Sequence, residues 1–407
     1  KEHLLVAICY GRRLFSRTFR VSYPSQLCPL VGLLSKLAEK RNLTVAIEPT
    51  GTYGDPLRYA LKLAKLPVLR IESKASRVYA EIFDGVPSQH DAKDAMVLAE
   101  MSFNGQGSPW PLLLKSERDA KMRMLVQQAD DQQAVLGVWC GRLEGLLGRH
   151  WPEATRVLDL DSSTLLQSLI EHGGPAGLAE DAQAQAKLRA WGGYCLGEQK
   201  IQTLIDSARG TAGVPASEAE VDQVRRYAQS ALASHRELEA TKRRLEKLVE
   251  GDAVLERMGQ AVGKATACVL WALLGDPRNY ASVGAYLKAA GLNLAERSSG
   301  KYEGQLKISK RGPALVRRWL YMAGLRLLQR SPAAAAWFAG KKQRDGGGER
   351  GGGRVPRRRK GLGLIGLVGL MRKLLGAVWH IVRKQEAFDA RRLFEPAARP
   401  EAKAVAS

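Results

Sequence analysis

The stretch HDAKDAMVLAE, His90 to Glu100, sets Asp91 and Asp94 three residues apart at the head of an apolar-faced helical pattern. Residues at i and i+3 share a helix face, so both carboxylates point the same way. Two readings compete. Acids suit the positive end of a helix dipole, which makes the pair an ordinary first turn. Alternatively, a divalent metal sits between them. A third carboxylate bears on the choice. Glu48 ends the apolar run of VAIEPTGTY, and Gly51 permits a turn directly after it. Open α/β sheets place working side chains just beyond a strand's carboxyl end. A strand-end glutamate and a helical Asp-x-x-Asp can converge on one site. Their hard oxygens suit Mg²⁺ or Mn²⁺, ions that often act in phosphoryl transfer.

The charge of the chain favours that reading. Its 407 residues carry 63 Lys+Arg against 41 Asp+Glu, a net +22. An excess of this size implies a polyanion, most often nucleic acid, because each cation laid on a phosphate releases counterions. A membrane surface is the competing partner, but no uninterrupted apolar run reaches the roughly 18 residues of a spanning helix. Five scattered cysteines, none in a C-x-x-C spacing, argue against a disulfide framework and a zinc site. With no signal-peptide pattern visible, a reducing, cytoplasmic setting is expected.

The elements around these residues follow from periodicity. HLLVAICY and LFSRTFRVSY read as strands and SQLCPLVGLLSKLAEKR as a helix. LTVAIEP is then a buried strand, GDPLRYALKLAK a helix and PVLRIE a strand. That order predicts one mixed sheet with helices packed on it. From Ser116 the pattern changes. Met122, Leu125, Ala129, Gln132, Leu136, Trp139, Leu143 and Leu146 form a heptad seam. A second seam runs through Val221, Val224, Ala228, Ala231, His235, Leu238, Lys242, Leu245 and Val249. The two predict a long antiparallel hairpin or an intermolecular coiled coil. His235 and Lys242 read as register-setting polar seam residues rather than ligands. Residues 150–215 read as a small helical insertion punctuated by HGGPAG, WGGY and GTAGVP.

From Asp252 the chain reads as compact and helical. MGQAVGKATACVLWALLG resembles half of a helix-hairpin-helix, in which Gly263 and Lys264 would offer backbone N–H groups to a phosphate. Ala261 stands where such hairpins usually carry a second glycine. Residues 341–361, KKQRDGGGERGGGRVPRRRKG, hold nine basic residues against two acids. They read as a flexible loop in contact with phosphates, Arg357, Arg358 and Arg359 included. LIGLVGLMRKLLGAVWHIVRK reads as a final amphipathic helix closing the domain, and the tail after Phe394 as disordered.

Three stretches together carry a resemblance. VAIEPTGTYGDPL, HDAKDAMVLAE and LLGDPRNYASVGAYLKAAGLNLAERSSGK…ISKRG resemble the insertion-sequence transposases of the IS-one-ten type. That family joins a RuvC-like (RNase H-like) DEDD domain to a catalytic-serine domain and acts as a bridge-RNA-guided recombinase. The resemblance covers both ends of the chain in order. It implies an α/β RuvC-like domain at 1–108, a coiled-coil hairpin at 116–250 and an all-α serine transposase domain at 251–395 with the helix-hairpin-helix-like element. Residues 396–407 form the tail.

The resemblance implies catalytic and metal roles for Glu48, Asp91 and Asp94, and a nucleophilic role for Ser299, with Ser298 as rival. The serine would attack DNA and hold it through a phosphoserine bond. A hydroxyl needs a base or metal to become nucleophilic, and the developing charge needs cations. Lys301, Lys307, Lys310 and Arg311 could supply these, with Arg317 and Arg318 on the helix beyond. Read alone, SSGK is an ordinary polar turn. Implied partners are donor and target DNA, a structured bridge RNA and further copies of the chain, as dimers or tetramers, with no membrane.

One departure stands out. The family's first acid lies in a G-I-D-x-(S/A)-K strand end, and KEHLLVAICY resembles the segment just after it. The simplest expectation is that the first strand and first ligand are clipped away. The alternative puts Cys9 in the acid's place, at a spacing to Glu48 that looks too short. Two rival functions stay open: a RuvC-type junction nuclease that uses the acids without Ser299, and a non-catalytic nucleic-acid-binding remnant.

Overall fold

The computed structural model describes residues 2–49, 51–86, 90–112, 116–295, 307–346 and 362–394. It divides into two compact units, with the boundary between Lys115 and Ser116.

The first unit is α/β. Strand β1 (His3–Val6), β2 (Cys9–Gly11), β3 (Leu14–Phe15) and β4 (Phe19–Ser22) are short. β1 pairs antiparallel with β4, setting Leu4 opposite Val21, and β2 turns back on β3. Helix α1 (Leu27–Ala38) precedes β5 (Val45–Ile47), α2 (Asp55–Leu63) and β6 (Val68–Arg70). Then come α3 (Ser73–Asp84), α4 (Asp91–Phe103) and β7 (Ser108–Pro109). β5 runs parallel to β6, with Val45 opposite Val68, and β7 adds antiparallel.

The expected single mixed sheet is therefore corrected. Among the described residues the strands form separate ladders, and no hydrogen bonding joins β1 to β5. They are held instead by α4, which packs on β1, β2 and β5 together. Leu30, Leu34, Leu61 and Val68 make one small core, and Ile71, Ala80, Val97 and Met101 a second beneath α4.

The second unit is helical. The long α5 (Glu117–His150) is capped by Ser116, which accepts from the Asp119 amide. The insertion follows as α6 (Ala154–Val157), α7 (Ser163–His172), α8 (Pro175–Glu180), α9 (Ala184–Gly192) and α10 (Glu198–Arg209). α11 (Glu218–Lys247) starts on a capping box between Ser217 and Glu220 and runs back antiparallel to α5. Arg118 near the start of α5 donates to Asp252 (2.7 Å) and to the Leu248 carbonyl (2.6 Å), beyond the end of α11. At the other end Arg149 lies 3.7 Å from Glu220. Seam residues Met122, Leu125, Leu136, Leu143, Ala228, Leu238 and Leu245 are buried as the heptads require. At Gly213 a Cβ would stand 2.0 Å from the His150 carbonyl oxygen, so the chain returning from the insertion crosses α5 only as glycine.

Beyond the hairpin lie α12 (Ala253–Val262), α13 (Lys264–Leu274) and α14 (Val283–Ala289). The ladder β8 (Leu294–Ala295) and β9 (Lys307–Ile308) follows, then α15 (Ala314–Arg330), α16 (Pro332–Gly346) and α17 (Leu362–Lys384). Two expectations need correction. Residues 341–346 continue α16 rather than opening a loop; the rest of the Gly/Arg stretch, with Arg357, Arg358 and Arg359, lies outside the described residues, as does the tail from 395. And α17 is long and apolar enough to cross a membrane by length and composition, despite the interruption at Arg372 and Lys373. Its Leu370, Leu374, Leu375 and Val378 nonetheless have no exposed surface and fill the same core as α12, α13 and α15.

Candidate active site

Glu48 follows β5 directly, and Gly51 adopts a left-handed φ of 67° at the turn beyond it. Only glycine takes that conformation at no steric cost, which lets the strand end feed α2 while Glu48 stays half-buried at the tip. Asp91 and Asp94 occupy the first turn of α4, Asp91 exposed and Asp94 half-buried. His90 caps that helix, its Nδ1 accepting from the Lys93 amide at 3.1 Å.

The strand end and the helix start meet electrostatically. Burial pushes the Asp94 carboxyl above the ordinary aspartate range; the charges of Glu48 and then Asp91 push it further, with His90 and Lys93 opposing. All three expected acids thus act on one neighbourhood. They are not drawn into a tight ligand set: among the described residues no three His, Cys, Asp or Glu side chains are gathered closely enough to hold a metal. Three like charges without a cation repel, which is the direction Asp94 reports.

Three charged groups behind the acids escape sequence reading. Lys93, between the two aspartates, is buried at 2 % exposure. Its ammonium donates to Asp84 and to the Val86 carbonyl, both at 2.6 Å, tying the end of α3 to the first turn of α4. Glu100 is equally buried, with Oε2 lacking a hydrogen-bond partner and Arg13 at 4.0 Å. Arg58 lies 3.7 Å over the Trp110 ring and donates to Asp55 at 2.8 Å. Each sits where a periodic pattern predicts solvent or a core hydrophobe, so composition carried no signal for them. Cys9 is a half-buried thiol whose pKa burial raises.

In the second unit, Ser298, Ser299 and Lys301 fall in 296–306, outside the described residues. β8 and β9 pair Leu294 with Ile308 and Ala295 with Lys307, bringing the two ends of that segment together. Below the ladder the chain crosses itself closely: a Cβ on Gly312 would meet the Ala289 carbonyl oxygen at 2.4 Å, and Gly291 has φ 68°. Ser309 donates from its amide to the Asn293 carbonyl at 2.9 Å, and its hydroxyl bonds the Asn293 side chain.

The expected phosphate-binding cations divide. Lys307, Lys310 and Arg311 are exposed. Arg317 spends its Nη1 on the carbonyls of Ala290 (3.2 Å), Gly312 (2.8 Å) and Pro313 (3.4 Å), bracing the crossing. Arg318 is paired with Asp130 on α5. Gly263, with φ 89°, is the single residue between α12 and α13. It and Lys264 are exposed, and Arg326 donates to Thr266 at 3.1 Å just inside α13.

Comparison with known proteins gives two family matches in sequence order, the first extending past the unit boundary into α5. Residues 1–152 match the DEDD transposase model of the IS110 group, and residues 254–339 match the transposase model of the IS116/IS110/IS902 family. The chain is also 26 % identical over 328 residues to the insertion element IS110 uncharacterized 43.6 kDa protein of Streptomyces coelicolor, covering 77 % of this chain and 79 % of that protein. The coupled carboxylates fall inside the first match and the β8–β9 region inside the second. DEDD transposase domains generally use divalent metal ions, and transposases bind, cleave and rejoin DNA. The chain belongs to the IS110 family of transposases.

Proposed function

We propose that this transposase cuts and rejoins DNA through a covalent serine–DNA intermediate at Ser299. A divalent cation, Mg²⁺ or Mn²⁺, would be held by Glu48, Asp91 and Asp94, and a structured guide RNA would pair with donor and target. The observation that carries the reading is the order of the two family matches along one chain, with the three acids inside the first and SSGK inside the second.

The donor set fits a hard cation. All its ligands are oxygens, and Asp94 is raised partly by its like-charged neighbours, a cost that a divalent ion removes. When bound, the ion would stabilise charge on the phosphoryl oxygens. The rest of the chemistry belongs to the chain. The Ser299 hydroxyl loses its proton and forms an O–P bond as a DNA oxygen leaves and is protonated. Attack by the hydroxyl of another DNA end reverses the step and restores the serine. Phosphodiester bonds are conserved throughout, so no nucleotide need be consumed.

Lys301, Lys307, Lys310 and Arg311 would hold the phosphate near the serine. Gly263 and Lys264 would grip a backbone phosphate at the start of α13, and Arg357, Arg358 and Arg359 would bind polyanion non-specifically. Arg317 and Arg318 act through their protein partners, keeping the base of the serine segment in place. Base pairing by the RNA leaves the protein to read backbone, which the net charge of +22 suits. Dimers or tetramers would be the working assembly, in the cytoplasm on nucleoid DNA.

The test is strand exchange with purified protein, guide RNA, Mg²⁺ and labelled donor and target. Joined product should form, should need RNA and metal, and should fall to background in Ser299→Ala while surviving in Ser298→Ala. Cleaved but unjoined ends, unchanged by Ser299→Ala, would replace this reading with a RuvC-type junction nuclease. Binding without any cleavage would leave a nucleic-acid-binding remnant.

A further inference from the structure

The helical insertion contains a feature that neither the carboxylates nor the serine segment uses. A cavity of about 380 Å³ opens where the segment before α7, the turn after α9, the start of α10 and the seam of α11 converge. Its walls include Trp191 and Leu196 on the apolar side, and Asp159, Asp161, Lys200 and His235 on the polar side. Both aspartates and Lys200 are exposed, whereas Trp191 and His235 are half-buried. The volume lies within the roughly 300–1,000 Å³ of small-ligand sites.

His235 also lines the cavity. It occupies a seam position where a polar residue would ordinarily find a partner across the hairpin, yet its Nδ1 is enclosed and makes no hydrogen bond. Enclosed ring nitrogens are normally satisfied. A metal does not answer the need, because Asp159, Asp161 and His235 are not gathered as ligands. Nor can a ligand in the open cavity reach an enclosed nitrogen, so the groups it would meet are the Trp191 face and the exposed Asp159, Asp161 and Lys200.

We propose that this cavity takes one unpaired, amino-bearing nucleobase of a single-stranded nucleic acid, stacked on Trp191 and read by Asp159 and Asp161. The inference rests on the nucleic-acid reading above and assigns the insertion a task within it. An aromatic wall offers stacking that any base accepts. Carboxylates at the rim accept from exocyclic amino groups of guanine, adenine or cytosine, and repel the carbonyl-flanked edge of uracil or thymine. Lys200 meets the adjoining phosphate. Tyr194, fully exposed in the WGGY turn beside Trp191, provides a face for the neighbouring base.

The test uses the full chain and a single strand of about 12 nucleotides, within known site sizes, carrying one 2-aminopurine, itself amino-bearing. DNA and RNA versions form separate arms. Binding should quench the 2-aminopurine, and replacing that position with uracil or thymine should weaken binding several-fold. Trp191→Ala should abolish the quenching and weaken binding about tenfold, the scale of one lost base stack. Because Trp191 also packs on the hairpin core, Asp161→Asn at an exposed position serves as the second variant. It should keep affinity for the uracil strand and lose the preference.

Quenching and preference unchanged in both variants would overturn the assignment. So would a wild-type protein that carries out strand exchange but binds neither single strand. Failure to bind any nucleic acid or to exchange strands would overturn the functional reading itself, and this inference with it.

Discussion

The two units reach rigidity by opposite means, and the difference follows what each must hold. The first unit sets Glu48 at the end of a short strand and Asp91 and Asp94 in the first turn of α4, over two small apolar clusters. It is tied by polar contacts: Lys93 to Asp84, Arg58 to Asp55 and Trp110, and His90 to the first turn of α4. The second unit has two larger apolar cores, one joining the start of α5 and the end of α11 to α12–α17, the other packing the insertion helices on the rest of the hairpin. Its serine segment is carried on a two-residue ladder clamped by Gly291, Gly312 and Arg317. Positioning repelling charges calls for polar ties with directional bonds.

Several substitutions would sharpen or break that contrast. The largest effect is expected at the acids. Glu48→Gln should lower strand-exchange rate at least about a hundredfold, the scale on which one charge-stabilising group acts, without changing circular dichroism. A Glu48→Gln protein of normal rate would remove the first unit from the chemistry. Next comes the second unit's core. Leu374→Ala, at a position with no exposed surface, should cost about 2–5 kcal/mol in denaturant unfolding; a cost below that range would mean α17 is loosely docked.

Asp94 gives a smaller effect with a defined sign. Its carboxyl titrates above the ordinary 3.8 in the folded protein, so the folded state holds the proton more tightly than the unfolded chain. Stability from this group is therefore greatest at low pH and falls as pH rises from the unfolded value through the raised one. In metal-free protein at neutral pH, Asp94→Asn should raise the melting temperature of the first unit by about a few degrees. Mg²⁺ should stabilise the wild type and not the variant. Equal responses to Mg²⁺ would argue against a cation among these acids.

The smallest change is Tyr286→Phe. This hydroxyl is buried without a hydrogen-bond partner, and burial raises its pKa. Deleting it should leave stability unchanged or raise it by up to about 1 kcal/mol; a clear loss in thermal unfolding would show that the hydroxyl is satisfied in solution.

The candidate acids were legible because strand-end and i, i+3 placement are local properties. The hairpin was legible because two seams, Met122 to Leu146 and Val221 to Val249, each hold heptad spacing over several turns, which leaves little room for another period. The sheet was not. Strands such as β2 and β3 are too short for alternation to register, and whether ladders join depends on α4 packing across them. Lys93 and Glu100 were hidden because buried charge contradicts every pattern rule; Lys93 is paired with Asp84 and Val86 just before α4, and Glu100 has Arg13 at 4.0 Å. Arg317 looked like a phosphate ligand because nothing in sequence announces the close crossing at Gly291 and Gly312 that claims it. His235 was read as register-setting, and its enclosed Nδ1 makes no hydrogen bond.

The most direct test of the account is to trap the intermediate and identify the linked residue. Wild-type protein with guide RNA, Mg²⁺ and labelled DNA should give a protein–DNA band on a denaturing gel, and digestion should place the DNA on the peptide containing Ser299. That band should be absent from Ser299→Ala and from Asp94→Asn. A linked band that persists in Ser299→Ala, or free cleaved ends with no link, would contradict the division of labour between the two units.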